Sequence, residues 1–214
     1  MANITYPDNA WKKCFELAWE AHLEGSNPIA SVITDGSGNI VAGGKSAVRG
    51  EVSNVAMSRC EIAHAEVNAL LRLDNRIHDQ VNKYTLYASL EPCPVCFGAF
   101  YMSGIRQLTF AAKDKFGGST NLFGSTPYLS RKPIKMNGPV DGLGGISIFM
   151  NVYCDLAVGR ESDEIHEAFA DDYPKIVEAA RLAGKGDRLR IGDEQDFDVV
   201  LDRIKEAIGA ANGG

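Results

Sequence analysis

Two short segments carry the side chains best suited to chemistry, His64-Ala65-Glu66 and Pro92-Cys93-Pro94-Val95-Cys96. A Cys-x-x-Cys turn lets two sulfurs converge on one tetrahedral cation, and a histidine supplies a neutral nitrogen as third ligand. Zinc held by His64, Cys93 and Cys96 keeps a fourth position for a water or hydroxide, whose pKa falls from about 9 on free zinc to near 7 in such a site. Glu66, two residues after His64, sits beside the metal without ligating it. It can take the water's proton, pass it to a ring nitrogen and then protonate departing ammonia. Together these groups suffice to hydrolyse an amidine carbon. Two blander readings stand beside this one. Cys60, four residues before His64, could close the site as a fourth ligand and make it structural. A redox Cys-x-x-Cys would leave His64 and Glu66 unexplained.

The elements that must position these groups follow from periodicity and punctuation. Trp11, Cys14, Phe15, Ala18, Trp19 and His22 recur at helical spacing, with Asp8 as N-cap and Gly25 as stop. Ile29–Thr34 reads as a buried strand, Asp35-Gly36-Ser37-Gly38 as a turn and Asn39–Ala42 as its hairpin partner. Gly43–Ser58 reads as a loop. Ala63–Leu73 is a second helix, Lys83–Leu90 a strand, and Pro92-Cys93-Pro94 opens a third helix ending near Ser103-Gly104. Both ligand segments thus open helices, where free N–H groups and the helix dipole favour thiolates. Ile105–Ala112 is another strand. Gly117–Gly145, rich in Gly, Ser, Pro and Asn, reads as a long loop with a short helix near Tyr128–Lys132. Ile146–Tyr153 reads as a final strand. Charged helical segments follow at Ser162–Ala170, Tyr173–Leu182 and Gln195–Ile208. The alternation favours an α/β layer fold with parallel later strands, over residues 1–154, and a helical C-terminal extension over residues 155–214, packed on the core.

His-x-Glu followed by Pro-Cys-x-x-Cys resembles the zinc-dependent nucleobase deaminases. The stretches Ala63–Leu70 and Ser89–Ala99 look most like the branch holding guanine deaminases and tRNA adenosine deaminases, and the resemblance runs from about Trp11 to Tyr153. It implies a three-layer α/β/α cytidine deaminase-like fold, a central mixed five-stranded sheet flanked by helices, and a homodimer. Carried over residue by residue, it makes His64, Cys93 and Cys96 the ligands of one Zn2+ and Glu66 the proton shuttle, with the Ala65 N–H helping to orient the base. Members of that branch usually place a substrate-binding asparagine after the second strand. Here Gly43-Gly44-Lys45-Ser46 puts Ser46 there, and a hydroxyl cannot present both an amide donor and an amide acceptor.

The 214 residues, 45% of them hydrophobic, can bury one substantial core. A net charge of -6 and a pI near 5.3 disfavour sequence-independent grip on nucleic acid. Met1–Asn9 shows no secretory pattern and no apolar run could span a bilayer, so a soluble cytoplasmic protein is expected. Cys14, Cys60 and Cys154 read as small buried hydrophobes. His22 reads as a core-edge residue, His78 and His166 as surface residues, and Phe97, Phe100 and Tyr101 as core. Glu91 either orients the turn carrying Cys93 or is a strand-end carboxylate in a polar site. Lys113, Lys115, Arg131, Lys132 and Lys135 form a basic cluster, read first as solvated charge and second as a phosphate contact. Phe116, Phe123 and Tyr128 are candidates for closing over a substrate. Three functions are compatible with all this: deamination of a free purine-like base or nucleoside, editing of adenosine in tRNA, and a catalytically silent zinc interaction module.

Overall fold

The computed structural model describes residues 8–160, 162–185, 189 and 191–212. Residues 1–7, most of the stretch searched for a leader, lie outside the described residues. Helix α1, Asn9–Leu23, starts where Asp8 accepts a 3.1 Å hydrogen bond from the Trp11 N–H and stops before Gly25, whose φ of +85° leaves the helical region. Its buried stripe, Trp11, Cys14, Phe15, Ala18 and Trp19, is the one its spacing predicts.

Five strands form one sheet: β1 Ala30–Thr34, β2 Ile40–Lys45, β3 Thr85–Leu90, β4 Gln107–Ala112 and β5 Lys135–Asn137, in the order β2-β1-β3-β4-β5. β1 runs antiparallel to β2 and β3, whereas β3, β4 and β5 are parallel. Alternating side chains divide between two apolar layers. Val32 and Ala111 face a cluster built with α1 and the later helices; Ile33, Leu86, Leu108 and Phe110 face α2, Ala65–Leu70, and α3, Pro94–Ser103. This is the mixed, helix-flanked sheet expected.

Ile146–Tyr153 is not the final strand. It is the middle of α4, Leu143–Ala157, which packs between the sheet and the C-terminal helices. Ile146, Ile148, Phe149, Met150, Val152 and Tyr153 are all buried because the helix is covered on both sides, and an unbroken apolar run does not distinguish a fully buried helix from a strand. The fifth strand lies instead inside the long Gly/Ser/Pro-rich segment, as the three exposed residues of β5. Residues 128–132 form turns rather than a short helix. Beyond α4 come α5 Asp163–Ala170, α6 Pro174–Gly184 and α7 Phe197–Asn212. Val177, Ala180, Val200 and Ile204 from these helices join the cluster that holds α1 and α4. Among the described residues, no helix is long and apolar enough to cross a membrane.

Candidate active site

His64 is the N-cap of α2, with extended backbone at φ -79° and ψ 157°, and Cys93 is the N-cap of α3. Pro94 opens α3, where its fixed φ and missing N–H cost nothing, and Gly104 at φ +94° ends it. Helix α2 is set by a close approach of backbone to backbone. A Cβ on Gly44 of β2 would stand 2.2 Å from the Ala65 carbonyl oxygen and 2.3 Å from the Ala69 nitrogen. Asn68, fully buried in α2, accepts from the Met57 N–H at 2.8 Å and donates to the Lys45 carbonyl at 3.2 Å. That tie fixes the start of α2 to the end of β2 and to the preceding loop.

These elements bring His64, Cys93 and Cys96 together, with their ligand atoms within 4.8 Å of one another. Nδ1 of His64 lies 3.3 Å from Cys93 Sγ and 3.4 Å from Cys96 Sγ. A tetrahedral zinc with its usual bond lengths spaces a nitrogen and a sulfur ligand by about 3.5 Å, so the donor set fits the ion. The His64 ring also donates to the Glu61 carbonyl, the kind of outer contact that orients a metal-binding imidazole. Glu66 is buried, and its Oε2 lies 3.1 Å from Cys96 Sγ. The two sulfurs divide one negative charge between them. The hydrogen bond from Cys96, seconded by His64, brings Cys93 down to about 4, while Cys96 is pushed far up by that same bond and by burial. Burial raises the Glu66 carboxyl, and the Cys93 thiolate raises His64. A divalent cation among the three ligand atoms resolves the conflict by deprotonating both thiols. Among the described residues this is the one such cluster, and Cys60 is not part of it. The fourth protein ligand of a closed site is therefore not supplied by Cys60.

Two residues ahead of Cys93, Glu91 is buried at the end of β3. It accepts from Lys113 Nζ at 2.8 Å, from the Asp114 N–H and the Thr120 N–H at 3.2 Å each, and from the Thr120 hydroxyl. Burial alone would raise its pKa, but Lys113 and Thr120 outweigh it and hold Glu91 below the ordinary carboxylate range. Asp114 Oδ1 in turn accepts from the Phe116 and Gly117 N–H groups, both at 2.9 Å, and folds a tight turn that leaves Phe116 57% exposed.

The other expected residues fall into place around this centre. Ala65 is fully buried as the first residue of α2. Ser46 is buried just past β2, its N–H donating to Ile29 and its hydroxyl 3.2 Å from that of Ser26. Phe97, Phe100 and Tyr101 are core. Phe123 packs into the layer of α2 and α3, and Tyr128 lies against Tyr101 with ring centres 5.6 Å apart. In the basic cluster, Lys113 is paired with Glu91 and Lys115 with Asp172 at 2.8 Å and Asp171 at 3.7 Å. Lys132 stands over the Tyr101 ring. His166 is not a surface residue: it is 1% exposed and faces Asp155 at 3.4 Å, since α5 folds back onto the end of α4. His78 is half-buried beside the Tyr84 hydroxyl. Asn68 and Gly44 escaped the sequence reading. A glycine pair inside a strand signals a close backbone approach and could have revealed Gly44; nothing local marks Asn68.

A carboxylate beside a three-ligand zinc cluster, at the starts of two helices packed on a mixed sheet, defines a zinc-binding fold of the deaminase kind. The chain belongs to the family described as the cytidine and deoxycytidylate deaminase zinc-binding region, whose model matches residues 6–112. It is 32% identical over 111 residues to the tRNA-specific adenosine deaminase of Haemophilus influenzae, a match spanning 51% of this chain and 60% of the relative. It is 34% identical over 104 residues to the guanine deaminase of Bacillus subtilis, with 48% and 62% covered. The chain thus spans about three fifths of the length of these curated relatives. Among solved structures, guanine deaminase from Nitrosomonas europaea shares the fold with a TM-score of 0.52 at 24% identity, covering 69% of this chain and 86% of that one. A structure from studies of A-to-I editing by tRNA deaminases at the wobble position matches with a TM-score of 0.50 at 26% identity, covering 60% and 96%.

Proposed function

We propose that this protein hydrolytically deaminates a free purine-like base or nucleoside, replacing a ring-bound amino group by a carbonyl oxygen and releasing ammonia. The observation that carries the chemistry is the buried Glu66 carboxylate against a cluster of exactly the ligands zinc prefers, one histidine and two cysteines. Zinc bound there supplies an activated water and polarises the reacting carbon. Glu66 moves the protons. Its burial favours the protonated form between transfers, so it can give a proton to the ring nitrogen and then to the departing amine. Cys93 and Cys96 hold charge, His64 is oriented through Glu61, and the Ala65 N–H at the start of α2 is placed to receive the base.

The choice of a small substrate is supported by the charges around the site. Lys113 and Lys115 stand next to the Phe116 turn, yet both are committed to carboxylates, Lys115 to two from the C-terminal region. Cations so paired are poor partners for the phosphates that flank a flipped nucleotide. Editing of tRNA is the second reading, favoured by the similarity to tRNA-specific adenosine deaminases. Ammonia release should be measured on guanine, adenine, cytosine, their nucleosides and a folded tRNA. Turnover of a free purine is the expected result; turnover of the tRNA alone would transfer the assignment to editing. We also infer a homodimer built on α3, whose outer residues Val95 and Met102 are 46% and 64% exposed although the helix is apolar on every side. Sedimentation of Met102→Glu as a dimer would exclude that face.

A further inference from the structure

Every donor to the Glu91 carboxylate comes from one segment of the chain that is distant in sequence. Lys113 Nζ, the Thr120 N–H and the Thr120 hydroxyl converge on Oε1, and the Asp114 N–H reaches Oε2. The fit leaves no slack: a Cβ on Gly118 would stand 2.3 Å from Oε2 and 2.3 Å from the Asp114 carbonyl oxygen. A second strap runs beside it, from the Ser119 N–H to the Pro92 carbonyl at 2.9 Å. Residues 113–120 are therefore fastened to the turn that carries Cys93, and Phe116 is the exposed tip of the fastened segment. On the far side the Tyr173 hydroxyl, 3.3 Å from the Lys113 nitrogen, holds the same segment to the C-terminal helices.

We propose that Glu91 is a positioning residue: it sets the 113–120 segment against the metal turn and thereby fixes the wall, tipped by Phe116, that a bound substrate meets. The proposal rests on the deaminase reading for its kinetic consequence only. Buried carboxylates that accept several N–H and O–H donors hold their surroundings more tightly than neutral acceptors do. An amide in this place must turn an NH2 group either toward Lys113 and Thr120 or toward the Asp114 N–H, and donor then faces donor. Thr120→Val keeps the shape and removes only the hydroxyl, so it loosens the segment without disturbing β3.

The test compares wild type, Glu91→Gln and Thr120→Val by zinc content, amide hydrogen exchange and steady-state kinetics. In Glu91→Gln, zinc should stay at one per chain while exchange of the Asp114 and Thr120 amides accelerates about tenfold or more. KM for the base should rise by about ten- to a hundredfold with kcat little changed, because misplacing a contact by about 1 Å costs that much. Thr120→Val should show the same pattern more weakly. Phe116→Ala combined with Glu91→Gln should raise KM little beyond either change alone. Loss of zinc from Glu91→Gln would overturn the proposal, since Glu91 would then hold the ligands rather than the segment. Unaltered exchange would overturn it too. If wild type releases no ammonia from any base, the deaminase reading fails instead, and the exchange and zinc measurements still decide whether Glu91 fastens the segment.

Discussion

At the scale of single residues, the centre is a contest over where negative charge resides. Three acidic groups, Glu66, Cys93 and Cys96, meet one imidazole in a space from which water is largely excluded. Only a cation makes that arrangement comfortable. Glu66 is not a zinc ligand in this scheme, so Glu66→Gln is expected to keep stoichiometric zinc while turnover falls by about a hundred- to ten-thousandfold, the range set by a proton-transferring side chain. Metal analysis alongside ammonia release checks this, and a variant that retains full turnover would remove Glu66 from the mechanism. The four residues concerned were legible in the sequence because ligand chemistry demands particular atoms at particular spacings. Their neighbours were not. Asn68 and Thr120 act through contacts that join distant segments, and neither residue type announces a buried hydrogen bond.

Elements position these atoms by how closely their backbones can approach. Strand β2 touches α2 at Gly44, where no side chain fits. Gly44→Ala must push Ala65 and Ala69 away and move His64 and Glu66 with them. It should cost about 1–3 kcal/mol of stability by overpacking and weaken zinc retention, both measurable by urea titration and metal competition. A second fastening sits at the far end of the same strand. Lys45 is almost fully buried and pairs with Glu24 at 2.6 Å and Glu20 at 3.4 Å, while Glu24 also accepts from Ser53 in the loop that leads toward α2. Burial raises the Glu24 carboxyl, but Lys45 and Ser53 prevail and hold it below its ordinary value near 4.5. A carboxyl lowered on folding stabilises the native state above its unfolded pKa and loses that contribution as pH falls through the folded one. The stability gap between wild type and Glu24→Gln should therefore be full above about pH 5 and close progressively below pH 4.5. A gap constant from pH 7 to pH 3 would rule out this linkage. Most element types could be read from periodicity, and α4 shows where periodicity fails. Buried on every side, it has no polar face to reveal a period of 3.6, and β5 has too few residues to show a period of 2.

Over the whole molecule, α4 is the layer that the sheet and the C-terminal helices share. It meets β3 and β4 on one side and α6 and α7 on the other, and it runs without a break through residues 154 and 155. We infer that residues 155–214 fold as part of the core. Trp19 of α1 donates to the Glu194 carbonyl at 2.7 Å, a contact that spans nearly the length of the chain. Phe149, fully buried in α4, should then act on both parts at once. Phe149→Ala is expected to cost about 3–5 kcal/mol and to shift one cooperative unfolding transition. Two separated transitions by fluorescence and circular dichroism would show that the extension folds independently.

The short strand β5 has a consequence for solubility. An outermost strand offers its free N–H and C=O groups to any passing chain, and long flat ones seed aggregates. Here the row is three residues long, begins with Lys135 and is halted by Gly138-Pro139, whose proline has no N–H to give. A foreign strand arriving at this border gains a few bonds at most and meets a charge as it docks, so the parallel half of the sheet ends where a fibril could not readily begin.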